Sequence, residues 1–158
     1  MTRSTLRLVA PAALALALVG LPLEGQTADE VAIERVVVAL AAFSQAGDFA
    51  GLDTLYAPGR AVHIIEGAGV NHGWADYRDH HLKPEIAEFE NFRYRYFDVE
   101  PQVRGDVAWA SFRYDLAVDT PRGHVEVDGR STTILERRDG RWLVVHLHTS
   151  GPRKPDGG

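Results

Sequence analysis

The chain reads as an α+β domain in which N-terminal helices pack on a curved antiparallel sheet. Two observations carry this assignment. Helical periodicity is concentrated in the first 90 residues, and the remainder of the chain is a set of long alternating segments joined by connections of hairpin length. Strand and helix do not alternate along the chain as a doubly wound parallel sheet requires. With 158 residues, 45% of them hydrophobic, and ordinary charge content, there is material for one folded domain.

The first 25 residues stand apart. Arg3 and Arg7 precede LVAPAALALALVGLPL, an apolar run broken by Pro11 and Pro22 and too punctuated for a stable membrane span. It reads as a cleaved secretory signal with Gly25 the last residue removed, a retained membrane anchor being the alternative. Residues 1–25 are therefore assigned to a signal peptide, 26–150 to the domain, and 151–158 (GPRKPDGG) to a flexible tail. The expected location is periplasmic or secreted. There is no cysteine, so the domain must hold together without disulfides and is not a lipoprotein.

Thr27 and Glu30 have capping-box spacing, and VAIERVVVALAAFSQA places Ile33, Val36 or Val37, Leu40 and Phe43 along one side of a helix. Gly47 stops it. Asp48 caps a shorter helical stretch, FAGLDTLYA, whose Leu52, Leu55 and Tyr56 continue the apolar face as far as Pro58 and Gly59. RAVHIIEG is a first strand, and WADYRDHHLKPEIAEF a third helical segment. Four strands remain: FRYRYFDVEPQVRG, VAWASFRYDLAV, GHVEVDGRSTTILERR and RWLVVHLHTS. Arg104-Gly105-Asp106, Pro121-Arg122-Gly123 and Arg138-Asp139-Gly140 separate them as hairpin turns. A sheet curled over helices encloses a cavity, so functional groups are expected on its concave wall.

The formal net charge is -5, and removing residues 1–25 takes it to -6. An acidic surface repels phosphate, so no nucleic-acid partner is expected, and NFRYRYF is an alternating strand rather than a platform for stacked bases. The expected partners are a small molecule and a second copy of the chain. FRYRYFDV, VAWASFRYDL and the final strand carry aromatic or aliphatic residues on both faces, whereas a monomer buries only one; this predicts a homodimer.

Phosphate-binding loops, dinucleotide fingerprints, a nucleophile elbow and a His-Glu-x-x-His helix are all absent from the sequence, and thiol catalysis is impossible without cysteine. Histidine and carboxylate chemistry remains. Strict alternation along RWLVVHLHTS puts Trp142, Val144, His146, His148 and Ser150 on one face, which passes from apolar to polar like the wall of a half-open pocket. His146 and His148 are therefore candidate catalytic groups, His146 the deeper, with Trp142 on the same wall. In the third helical segment, counting about 100° per residue from Trp74 brings His81 and Glu85 within roughly 20° and Tyr77 within about 60°. His80 falls about 120° away, near Asp76. His81 is thus the third catalytic candidate, with Trp74 and Tyr77 as ligand contacts.

His63 lies opposite Val62 and Ile64 and is a further candidate ligand contact. Arg130 shares a strand face with Thr132 and Ile134, where it would anchor a carboxylate or an enolate oxygen unless its hairpin leaves it exposed. His72 and His124, beside glycines, are placed in loops or strand ends without a role.

Three functions are consistent with these groups. The first is a pocket for a small, partly apolar molecule with histidine acid/base chemistry of isomerase, cyclase or hydrolase type, Arg130 or Tyr77 serving as electrophilic donor. The second is the same pocket without turnover. The third is a histidine metal site in which His146 and His148, at i and i+2, are joined by His81 or His63. No cofactor is otherwise expected.

One ordered set of features is familiar: two helices joined by AGD, the aromatic-rich WADYRDHHLKPE, Gly-Asp before VAWASFRY, then GRSTTILERRDGRW and the closing VVHLHTS. Over residues 28 to 150 the chain resembles the SnoaL-like branch of the nuclear transport factor 2-like superfamily, which also holds ketosteroid isomerase. The resemblance implies a cone-shaped α+β barrel, helices closing a curved sheet over a pocket, and often a dimer formed through the sheet. The residues it carries over are those of the terminal His-x-His-x-Ser and of HHLKPE. The superfamily's aspartate base and its hydroxyl or acid donors have no matching motif here.

Overall fold

A computed structural model describes residues 26–154. The expected signal peptide lies outside the described residues, as do the last four positions of the tail. Helix α1 (Ala28–Ala46) starts at the expected capping box, with Glu30 N donating to Thr27 Oγ1 at 3.2 Å and Thr27 N to Glu30 Oε2 at 2.7 Å. It ends where Gly47 turns left-handed at φ 65°. Its Ile33, Val37, Leu40 and Ala41 are fully buried. Asp48 caps the short α2 (Phe49–Asp53) by accepting from Gly51 N at 2.9 Å.

The sheet has six strands in the order β2-β1-β6-β5-β4-β3: β1 (His63–Glu66), β2 (Gly69–His72), β3 (Glu90–Arg104), β4 (Val107–Thr120), β5 (Gly123–Arg138) and β6 (Arg141–Ser150). β3 to β6 form the expected antiparallel meander. The α+β fold with helices on a curved sheet is as expected; within it β1 runs parallel to β6, and the sheet stays open between its edge strands. The cause lies upstream of β1. On leaving α2 the chain already runs beside β6, Val144 N donating to Leu55 O at 2.8 Å and Ala57 N to Val144 O at 2.9 Å, and it keeps that direction into β1. β2 is a strand where loop was expected, so His72 pairs directly with His63. Beyond β6, Arg153 bridges Val127, and Lys154 N donates to Glu126 O at 2.8 Å.

One irregularity decides which side chains enter the interior. β5 and β6 pair Leu135 with Val144 and then Ile134 with His146, leaving Val145 as an extra residue on β6. Every side chain beyond this bulge changes face. Trp142 and Val144 are buried, as are Leu147 and Thr149, while His148 and Ser150 are exposed and His146 only partly covered. The expectation that His146 and His148 share a face with Trp142 and Val144 is thereby corrected.

Candidate functional site

The concave wall is built mainly by tyrosine. Alternation along β3 turns Phe92, Tyr94 and Tyr96 inward, Tyr114 follows from β4, and Tyr56 comes from the segment beside β6. Tyr94 and Tyr96 join hydroxyl to hydroxyl at 2.7 Å. Burial raises the hydroxyls of Tyr56, Tyr77 and Tyr94 well above the usual phenol range, and burial also raises those of Tyr96 and Tyr114. All five remain protonated donors at neutral pH.

The charged groups come from two elements. At the end of β1, Glu66 falls on the same inward face as Ile64. The third helical segment is α3 (Trp74–Tyr77), a π turn (Arg78–Leu82) and α4 (Lys83–Glu88). Pro84 has no N–H with which to continue the i to i+4 ladder, and Lys83 N bonds instead to Arg78 O, five residues back. This widened turn carries His81. Tyr77 Oη donates to Glu66 Oε2 at 2.9 Å, and His81 Nε2 lies 3.4 Å from both Glu66 Oε2 and Glu85 Oε1.

The other ring nitrogen fixes the tautomer. Asn71 Nδ2 donates to Asp76 at 3.3 Å, which turns Asn71 Oδ1 toward His81 Nδ1 at 3.2 Å. An amide oxygen only accepts, so Nδ1 carries the hydrogen and Nε2 is the atom that faces the two carboxylates. The Glu85 carboxyl is raised above its ordinary value, first by desolvation and also by the charge of Glu66, against the lowering influence of His81 and Arg122. The space these groups border is narrow, about 60 Å³.

A larger hollow, about 890 Å³, lies outside this interior between α3 and the segment around Pro58. Trp74 stacks on Tyr56 there, ring centroids 4.2 Å apart, and donates from Nε1 to Asp53 at 2.6 Å. On its wall Asp53 is paired with Arg78 at 2.8 Å and His80 with Asp76 at 3.2 Å, and Arg60, His72 and Arg141 also line it. Glu66 and Glu85 border the smaller space, and the half-buried His81 stands beside them.

Of the residues singled out from sequence, the structure brings Tyr77 and His81 together. Trp74 faces the outer hollow, and Trp142 donates from Nε1 to Asp29 at 3.2 Å, tying the start of β6 to α1. His63, His146, His148 and Arg130 lie on the convex face, where His63 pairs with His146 in register and Arg130 keeps 70% of its side chain exposed. His81 and the pair His146 and His148 are therefore on opposite faces of the sheet and do not share one ion. Among the described residues no group of three or more potential ligands is arranged to hold a metal.

Glu66, Tyr56, Tyr94, Tyr96 and Tyr114 were not singled out. The signal for two of them was present in FRYRYF, whose alternation aligns Tyr94 and Tyr96. For Glu66 it was the alternation of HIIE, with Ile64 as the core residue that fixes the face.

The model of the family described as a SnoaL-like domain matches residues 33–154. No curated protein matches the chain. Among solved structures, a nuclear transport factor 2-like superfamily protein from Salmonella enterica serovar Typhimurium LT2 superposes with a TM-score of 0.72 at 18% identity, covering 82% of this chain and 94% of that one. An NTF2-like protein of unknown function from Pseudomonas putida KT2440 gives 0.67 at 20% identity over 80% of this chain and 89% of its own. A protein with a cystatin-like fold from Caulobacter vibrioides gives 0.65 at 18% identity over 77% and 88%. At such identities the likeness is one of fold.

Proposed function

Because the chain belongs to the SnoaL-like domain family, we propose that its interior takes up a small, partly apolar molecule and that His81, with Glu66 and Glu85, moves a proton on it. The observation that carries this reading is the position of His81 Nε2, 3.4 Å from each carboxylate beside the tyrosine-lined space. A proton leaving a carbon next to a carbonyl passes to this group, and the charge that develops on the carbonyl oxygen is met by tyrosine hydroxyls. Tyr94 and Tyr96 use one hydrogen between their hydroxyls and keep the other free for such a bond, while Tyr77 holds Glu66. This assigns proton transfer to the concave His81 and not to His146 and His148.

Exchange of the α-protons of cyclopentenone in deuterated water, followed by proton NMR, tests the reading. We expect the wild-type protein to accelerate exchange and His81→Ala to reduce that acceleration by about 100-fold. His146→Ala is expected to leave it unchanged. Loss of exchange in His146→Ala with retention in His81→Ala would move the chemistry to the convex face. Binding without exchange would make the chain a binding module.

We also propose that residues 1–25 direct export and are removed. Mass spectrometry of the protein recovered outside the cytoplasm is expected to show a chain beginning at Gln26.

A further inference from the structure

We infer that the ligand of this interior is a cation, a small alkylammonium group seated among aromatic rings and two carboxylates. The inference rests on the reading of the interior as a ligand pocket and adds the charge of what enters it.

The lining supplies the first argument. Tyr56, Tyr77, Phe89, Phe92, Tyr94 and Tyr96 all border the space. Each ring offers a negative π surface to a cation, and several rings around one small volume is the arrangement by which proteins hold alkylammonium groups. Charge supplies the second. Among the described residues that line the space, Glu66 and Glu85 are the only charged ones, and no lysine or arginine borders it. Within the lining an anionic ligand would meet two carboxylates offset only by hydroxyls, His81 and Arg122 standing behind the carboxylates and outside the space, whereas an ammonium is attracted by both. Size supplies the third. About 60 Å³ holds a few waters, or the head group of a molecule with a handful of non-hydrogen atoms.

The cation also suits the proposed proton transfer. A positive nitrogen close to a carbonyl makes the neighbouring C–H more acidic and offsets the negative charge of the enolate beside Glu66. An amino ketone combines both features in one small molecule.

Three probes of nearly the same shape separate charge from shape: tetramethylammonium, tert-butanol and pivalate. Their binding to the domain is followed at neutral pH by NMR shifts of the interior tyrosine and phenylalanine rings. We expect tetramethylammonium to bind about tenfold more tightly than tert-butanol, and pivalate not at all. In the Glu66→Gln/Glu85→Gln double variant the preference for the cation should vanish while tert-butanol binds as before, thermal melting confirming that the variant is folded. The single variant Glu85→Gln, at the more exposed carboxylate, should lower cation affinity by a smaller factor. Equal binding of the cation and tert-butanol, or no binding of the cation, would overturn the inference. Cyclopentenone exchange then reports separately on the pocket, because it uses a neutral probe.

Discussion

Gly129 shows how much one residue decides. It pairs with Tyr114 across β4 and β5, and a Cβ added there would lie 2.2 Å from Tyr114 Cε1 and 2.6 Å from its hydroxyl. A Cβ at Gly151 would meet the same hydroxyl at 3.0 Å. The ring of Tyr114 thus lies across two glycines. Gly129→Ala is expected to push it aside and destabilise the fold by about 1–3 kcal/mol, read as a lower urea midpoint. In the sequence Gly129 was legible only as part of a hairpin mouth in DGRS. Its use as space for a ring depends on which residue faces it across the strand, and a single strand's pattern does not contain that register. His81, by contrast, was legible because its neighbours Tyr77 and Glu85 sit on the same helical side and the count of angles needs no partner.

At the scale of the element, the bulge in β6 makes the difference between a pocket wall and an outer surface. Val144 and Val145 are the same residue type, so nothing in WLVVHLH marks where the alternation breaks. The break is set by the pairing of Leu135 with Val144, on another strand. His146 bears the consequence. Burial holds its imidazole below the ordinary value of 6.5, with the neighbouring charges of His148 and His63 acting in the same direction. A depressed value means that the folded protein favours the neutral ring. The stability this contributes is fully present above about pH 6.5 and is lost as pH falls through the lowered folded value. His124 has the opposite sign, because Asp119 and then Glu126 raise its imidazole, so its contribution is present below the ordinary value and lost as pH rises. The melting temperature of wild type is therefore expected to fall more than that of His146→Gln between about pH 7 and pH 5. Equal slopes for the two proteins would remove His146 as the cause. The capping box of α1 gives a prediction independent of pH: Thr27→Ala is expected to cost about 1 kcal/mol in chemical denaturation, since it frees Glu30 N at the helix start.

At the scale of the whole molecule, the convex face remains to be covered. Val70, Val107, Trp109 and Ile134 are exposed there by 37–52%. In register across the strands, His72, His63 and His146 continue the row that Ile134 and Trp109 occupy. We propose that a second copy packs on this face, where a row of imidazoles and apolar side chains, free of carboxylates, lets two acidic chains approach. Light scattering at neutral pH is expected to give twice the chain mass, and Trp109→Glu to give a folded monomer. A wild-type monomer at micromolar concentration would leave the face open to solvent. The parallel docking of β1 on β6 has a different consequence, in time rather than in space. Glu66 is held by a strand whose neighbours are β2 and β6, and β6 comes last in chain order among the six described strands. Pairings so distant in sequence form late, after the loop between them has closed. The early tyrosines and His81 therefore wait for β6, and the Glu66 carboxylate takes its place only after that strand has been made.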